Sequence, residues 1–151
     1  VSRRLATISG LGPVTALTLA TEIDPAAFAS GRHMAAWIGL TPKEHSTGGK
    51  QRLVGISRAG NERLRSLLVV CATSVIKAAT MPASKQMTGW LRGLLQRKPR
   101  KVAAVALANK IARVAWAVMT YGTVYRRSPT NVEVILRGMK RRIRFVPQQA
   151  A

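Results

Sequence analysis

A chain of 151 residues with 25 Lys and Arg against 5 Asp and Glu carries a formal charge of +20, a balance that leaves too few carboxylates for a self-contained two-metal nuclease. One cysteine and two histidines, Cys71, His33 and His45, provide neither a disulfide framework nor zinc-ligand spacing, and a lone thiol suits a reducing cytosol. The length fits one domain or one large piece of a domain, and the excess charge, self-repelling at low salt, points to a nucleic-acid partner held largely through its phosphates.

Val1 to Arg4 lead into a polar-interrupted segment, not a signal peptide, and a first residue that is Val and not Met suggests a fragment. Leu5 to Leu17 shows helical periodicity on both sides of a Gly-Leu-Gly turn, the pattern of a helix-hairpin-helix. Gly10 and Gly12 permit the tight turn, Leu11 plugs the space between helices, and Pro13 suits the first position of the second helix. Free backbone N–H groups there would receive a phosphate oxygen, or the hairpin would serve packing alone.

Asp24-Pro25 ends one helix and opens another, and Ser30 starts a short helix whose apolar side is Met34, Ala35, Ile38 and Trp37, with Trp37 expected in the core. Leu40-Thr41-Pro42 stops it. From Lys43 to Gly60 periodicity fails and a loop or strained turn is expected. Asn61 then caps a long helix carrying Leu64, Leu67, Leu68, Cys71, Val75 and Ile76 inward, with Cys71 buried as a small hydrophobe, and Met81-Pro82 breaks it. A helix over Ser84 to Gln96 should turn Met87, Trp90, Leu91, Leu94 and Leu95 inward. After the basic connector Arg97 to Lys101, a strong helix covers Val102 to Tyr121, with Val105, Ala108, Ala112, Ala115, Trp116 and Met119 on a small-residue seam and Gly122 at its end. No apolar run reaches a membrane span, so no membrane partner is expected. Residues 1–125 form the expected domain, and 126–151 a basic, weakly ordered tail. The fold class is all-α.

Gly39 to Arg65 concentrates hydroxyls, glycines and cations. Ser46, Thr47 and Ser57 stand among Lys43, His45, Lys50, Arg52 and Arg58, so a hydroxyl there has both a base and cations for the charge that develops on an attacked phosphodiester. Gly48 and Gly49 allow the DNA backbone to approach closely. The same Ser-Thr-Gly-Gly-Lys also makes a phosphate-binding loop without catalysis, although it lacks Walker spacing. Gly10, Gly12, Lys43, Gly48, Gly49, Lys50, Arg52, Arg58 and Arg63 are the expected DNA contacts.

Ile8-Ser9-Gly10-Leu11-Gly12-Pro13, Gly39-Leu40-Thr41-Pro42, His45 to Lys50 and Gly55 to Asn61, in this order, resemble the C-terminal transposase domain of the insertion-sequence one-hundred-ten family. Asn109-Lys110-Ile111-Ala112-Arg113, Trp116-Ala117 and Gly122 to Tyr125 extend the likeness to about Arg126. The resemblance implies a domain that works beside an N-terminal DEDD nuclease-like domain binding a divalent metal such as Mg, with a structured guide RNA and an oligomer of composite active sites in the bacterial cytoplasm, at the nucleoid. It implies a serine that attaches covalently to DNA. Counted back from Ile56-Ser57-Arg58 that residue is Ser46; counted forward from Thr41-Pro42 it is Thr47. Ser46, the less hindered primary hydroxyl, is the expected nucleophile. The DEDD domain is not in this sequence, so no cofactor is expected in the chain, and inactivity alone is. The alternative is a non-enzymatic helix-hairpin-helix nucleic-acid-binding module.

Overall fold

Two long helices packed on each other carry the core, in a computed structural model that describes residues 1–44, 53–81 and 88–125. They are α4 (Glu62–Ala79) and α6 (Arg100–Tyr121), and no other pair of elements packs so extensively. Small side chains let them approach: Ala72 and Ala79 on α4 face the Ala104, Ala108, Ala112 and Ala115 stripe of α6, all buried, while Leu64, Leu68, Ile76, Leu107 and Ile111 fill the space between. Fully buried Leu64 and Leu68 each contribute about 1.5–3 kcal/mol of apolar burial.

The remaining helices surround this pair. At the start of the chain, α1 (Ser2–Leu5) and α2 (Pro13–Glu22) pack on each other, and α2 lies along α4, where the Thr15 hydroxyl meets the Cys71 thiol at 3.4 Å. Cys71 is buried there, as expected, and Pro13 opens α2. A 3-10 turn over Pro25–Ala27 follows, its first turn held by the Asp24 carboxylate accepting from Ala26 N at 2.9 Å. Next comes α3 (Gly31–Trp37), capped by Ser30, which packs on α6 so closely that a side chain at Gly31 would press on the Arg113 carbonyl. The Trp116 indole fastens the 3-10 turn to α6 by donating to Pro25 O at 3.1 Å. Finally α5 (Gly89–Arg97), capped by Thr88, folds back on α6 with Leu91 buried and Leu94 and Leu95 partly covered.

The structure is mostly helical, as expected, but the segment read as an irregular loop contains strands. Residues Pro42–Glu44 form β1 and Leu53–Ile56 form β2, paired antiparallel with Pro42 opposite Ile56, Lys43 opposite Val54 and Glu44 opposite Leu53. The register skips Gly55, so β2 carries a bulge, and strands this short leave too few alternating positions for a period-two signal. Trp37 and Trp90, both expected inside, are 43% and 42% exposed, Trp37 meeting the Phe28 ring edge-on and Trp90 lying under the Lys110 ammonium. The expected helix from Ser84 is described from Gly89 onward; 84–87 and the tail from Arg126 lie outside the described residues. One further expectation changes: α6 is long and apolar enough to cross a membrane, with an 18-residue window of mean hydropathy 1.5, although Lys110 and Arg113 interrupt its apolar run. In this fold it is the central core helix, packed by α3, α4 and α5.

Asn61 is the cap the sequence foretold, its side-chain oxygen accepting from Leu64 N at 3.0 Å while its amide donates to Glu22 Oε2 at 2.9 Å. Asn61→Ala removes both bonds. Thermal unfolding should show a loss of about 1–2 kcal/mol, and an unchanged melting temperature would refute the capping role.

Candidate functional site: the hairpin at the head of helix α4

Two glycines fix the base of the β-hairpin. Gly39, at φ +80°, follows α3, and Gly60, at φ +74°, precedes α4. Their backbones pass so near each other that a side chain at Gly39 would collide with the Ala59 carbonyl oxygen, and one at Gly60 with the Trp37 carbonyl oxygen. Across this crossing Ser57 N donates to Thr41 O at 2.8 Å and Arg58 N to Gly39 O at 3.3 Å. Arg58 has φ +55°, a left-handed conformation unusual for a side-chain-bearing residue, which turns the chain from β2 toward α4.

Two residues that sequence reasoning left without a role complete the base. The Arg65 guanidinium donates to Ile38 O at 3.1 Å and Ala59 O at 3.0 Å, bridging the end of α3 to the approach to α4. Asn109, on α6, donates through Nδ2 to Leu40 O at 3.2 Å, so the core helix holds the chain where it enters β1. Asn109 belongs to a quoted motif, and its mid-helix polarity was the available signal. Arg65 looked like one more cation in a basic segment.

The expected site residues now separate by place. Lys43 is exposed on β1 and Arg58 is exposed just after β2. Ser46, Thr47, Gly48, Gly49, Lys50 and Arg52, within the eight residues that join the two strands, lie outside the described residues. Arg63 is on the first turn of α4, 3.6 Å from Glu22 Oε1, so part of its charge is matched within the fold. Glu22 thus ties the end of α2 to the start of α4. Gly10, at φ +88°, has a packing reason of its own, because a side chain there would strike Val75 on α4. Gly12 has open space around it and is the N-cap of α2 without a side-chain capping bond. Ser57, the third hydroxyl, faces inward to its own turn, its Oγ 3.5 Å from Ala59 N.

On the neighbouring face of α6, Lys110 places its ammonium 4.0 Å from the centre of the Trp90 ring. Burial, and then the charge of Arg113, hold this ammonium below its ordinary value of 10.5. Between the lowered value and 10.5 the unfolded chain binds more protons than the folded one, so this group makes stability rise with pH across that window. Among the described residues no three of His, Cys, Asp and Glu gather as metal ligands.

The family model described as "Transposase IS116/IS110/IS902 family" matches residues 2–88, from α1 through the hairpin and α4. This chain belongs to that family. Among curated relatives, "Putative transposase y4pF/y4sB" of Sinorhizobium fredii is 57% identical over 84% of the chain and 33% of that relative. "Probable family 20 transposase" of Pseudomonas aeruginosa is 46% identical over 82% and 37%. "Transposase for insertion sequence element IS1328" of Yersinia enterocolitica is 43% identical over 83% and 38%. The chain thus spans about a third of the length of these transposases, and the family match runs across the hairpin and both glycines at its base.

Gly60 and Gly55 provide an internal contrast, since nothing lies within 4 Å of a side chain added at Gly55. Gly60→Ala should lower stability by more than about 2 kcal/mol, through backbone strain and a steric clash, whereas Gly55→Ala should stay within about 0.5 kcal/mol. Urea unfolding of both variants measures the difference, and equal midpoints would show that the crossing is not tight.

Proposed function

We propose that this chain is the part of an insertion-sequence transposase that grips DNA at the β1–β2 hairpin and supplies the nucleophile, Ser46, for strand cleavage and rejoining. The observation that carries this is the clamped base of the hairpin. Gly39, Gly60, Arg65 and Asn109 fix both ends of the segment that holds the hydroxyls, glycines and cations. Fixing a reacting group beside its target is a large part of what any phosphoryl-transfer site must do.

The reaction is a transesterification. Ser46 Oγ loses its proton and attacks a phosphodiester; the Oγ–P bond forms, the P–O3′ bond breaks, and the freed 3′ oxygen takes up a proton. A 3′-hydroxyl of the strand to be joined then attacks the phosphoserine, releasing Ser46. One ester replaces another at each step, so no external energy is consumed. Lys43, Lys50, Arg52 and Arg58 stabilise the charge that accumulates on the phosphoryl oxygens. The described residues of this chain do not fit a divalent-metal site, and the carboxylates for one, with a metal such as Mg, belong in this proposal to the part of the relatives' length that the chain does not span. A structured guide RNA, an oligomer with composite active sites and a place at the bacterial nucleoid complete the proposal for the whole protein.

A second reading, a binding module without chemistry, draws on Gly12, whose surroundings are open to the approach of a phosphate at the head of α2. Covalent capture separates the two. With this chain joined to the remaining length of a relative, a nicked duplex bearing an element end should yield a protein–DNA adduct that survives denaturing electrophoresis. Ser46→Ala should abolish it and Thr47→Ala preserve it. The reverse pattern transfers the role to Thr47, and salt-sensitive DNA binding without any adduct favours the binding module.

A further inference from the structure

The acids of this chain are unevenly placed. Glu22, Asp24, Glu44 and Glu62 precede Arg63, the fifth is Glu133, and no acidic residue stands between Arg63 and Asn131. Helices α5 and α6 therefore carry cations without any acid of their own. They form a helical hairpin joined only by Lys98 and Pro99, with Trp90 of α5 beside Lys110 of α6 at the open end. At its closed end Arg97, Lys98, Arg100 and Lys101 are all exposed, and among the described residues the one ion pair, Arg63 with Glu22, involves none of them.

This corner is costly to the fold. Arg100 and Lys101 are the first two residues of α6, where the helix dipole disfavours positive charge, and no acid stands in that turn. Arg97 and Lys98 add like charge within the same turn of chain. Packing does not ask for them, because α5 is fastened to α6 by Leu91, Leu94 and Leu95. Arg97 is moreover oriented, its Nε donating to Gly93 O at 2.9 Å. Asn109, the anchor of the β-hairpin, is nine residues beyond Arg100 on the same helix, about 13 Å along its axis.

We infer that the closed end of the α5/α6 hairpin is a second DNA-binding surface, separate from the β-hairpin, which grips the phosphate backbone of duplex DNA. The inference rests on the chain's being DNA-acting, and goes beyond it by assigning a second contact. Charge complementarity selects a polyanion, and the absence of any aromatic residue from Leu91 to Lys101 leaves no platform on which unpaired bases could stack, so the surface suits a duplex. The contacts are to phosphate, and so carry no sequence preference.

The test uses the whole 151-residue chain and a 30-base-pair DNA duplex of arbitrary sequence, with affinity measured by fluorescence anisotropy across a salt series. Replacing Arg97, Lys98, Arg100 and Lys101 together by Gln should reduce the slope of log K against log salt by about 3 to 4, and weaken binding at least tenfold at about 0.15 M salt. If that variant unfolds by circular dichroism, Lys98→Gln with Lys101→Gln should still reduce the slope by about 2. An unchanged slope, while Lys43→Gln with Arg58→Gln reduces it, overturns this inference and leaves the DNA-acting reading standing. A wild-type chain without salt-dependent duplex binding overturns both. A slope reduced for an RNA hairpin but not for the DNA duplex overturns the assignment to DNA.

Discussion

The backbone crossing of Gly39 and Gly60 is the contact on which the arrangement of this chain depends. Neither position tolerates a Cβ, and each has the positive φ that L-residues rarely adopt. Because the two backbones touch, the end of α3 and the start of α4 sit side by side, and the intervening chain must leave and return at one place. A hairpin is the natural consequence. Its hydrogen bonds then extend the contact outward from the crossing, through Ser57 N to Thr41 O and on into the paired strands. Arg65 and Asn109 add donors for Ile38, Ala59 and Leu40 carbonyls that the turning backbone would otherwise leave without helical or strand partners.

Much of the helical frame was legible because its signals are local. Asp24, Ser30 and Asn61 cap where their side-chain chemistry says they should, Pro13 opens α2, Gly122 closes α6, and the three-four spacing of α4 names its buried face. The hairpin was not legible for the converse reason. Its strands are three and four residues long and are specified by a contact between residues 39 and 60, which periodicity does not register. The glycines illustrate the limit best. From sequence, Gly10 permits a tight turn and is an expected DNA contact; the structure adds that α4 presses on it at Val75. A glycine announces that something comes close; only the fold says what.

Electrostatics divides the molecule along another line. Three of the four acids in its first half serve structure: Asp24 holds a 3-10 turn, Glu22 joins α2 to α4, and Glu62 lies in the first turn of α4, where the helix dipole favours it. The second half has none until Glu133, and among the described residues none of its cations forms an ion pair. Lys110 is the exception that shows the cost: burial and Arg113 both oppose its charge, and the face of Trp90 supplies partial compensation. A helix required only for packing would gain by having an apolar residue there.

Helix α6 links the two halves mechanically. It holds the β-hairpin through Asn109 and begins at the cationic corner, and a 22-residue helix packed on α3, α4 and α5 cannot change the distance between them without unpacking the core. That distance, about 13 Å along the axis, is close to the rise of four base pairs in a duplex. A phosphate gripped at the corner would therefore sit at a fixed spacing from the strand presented to the hairpin. Position along the duplex would then be set by the length of a helix, not by the reach of flexible side chains, and small changes in α6 should alter where a strand is engaged before they alter how tightly.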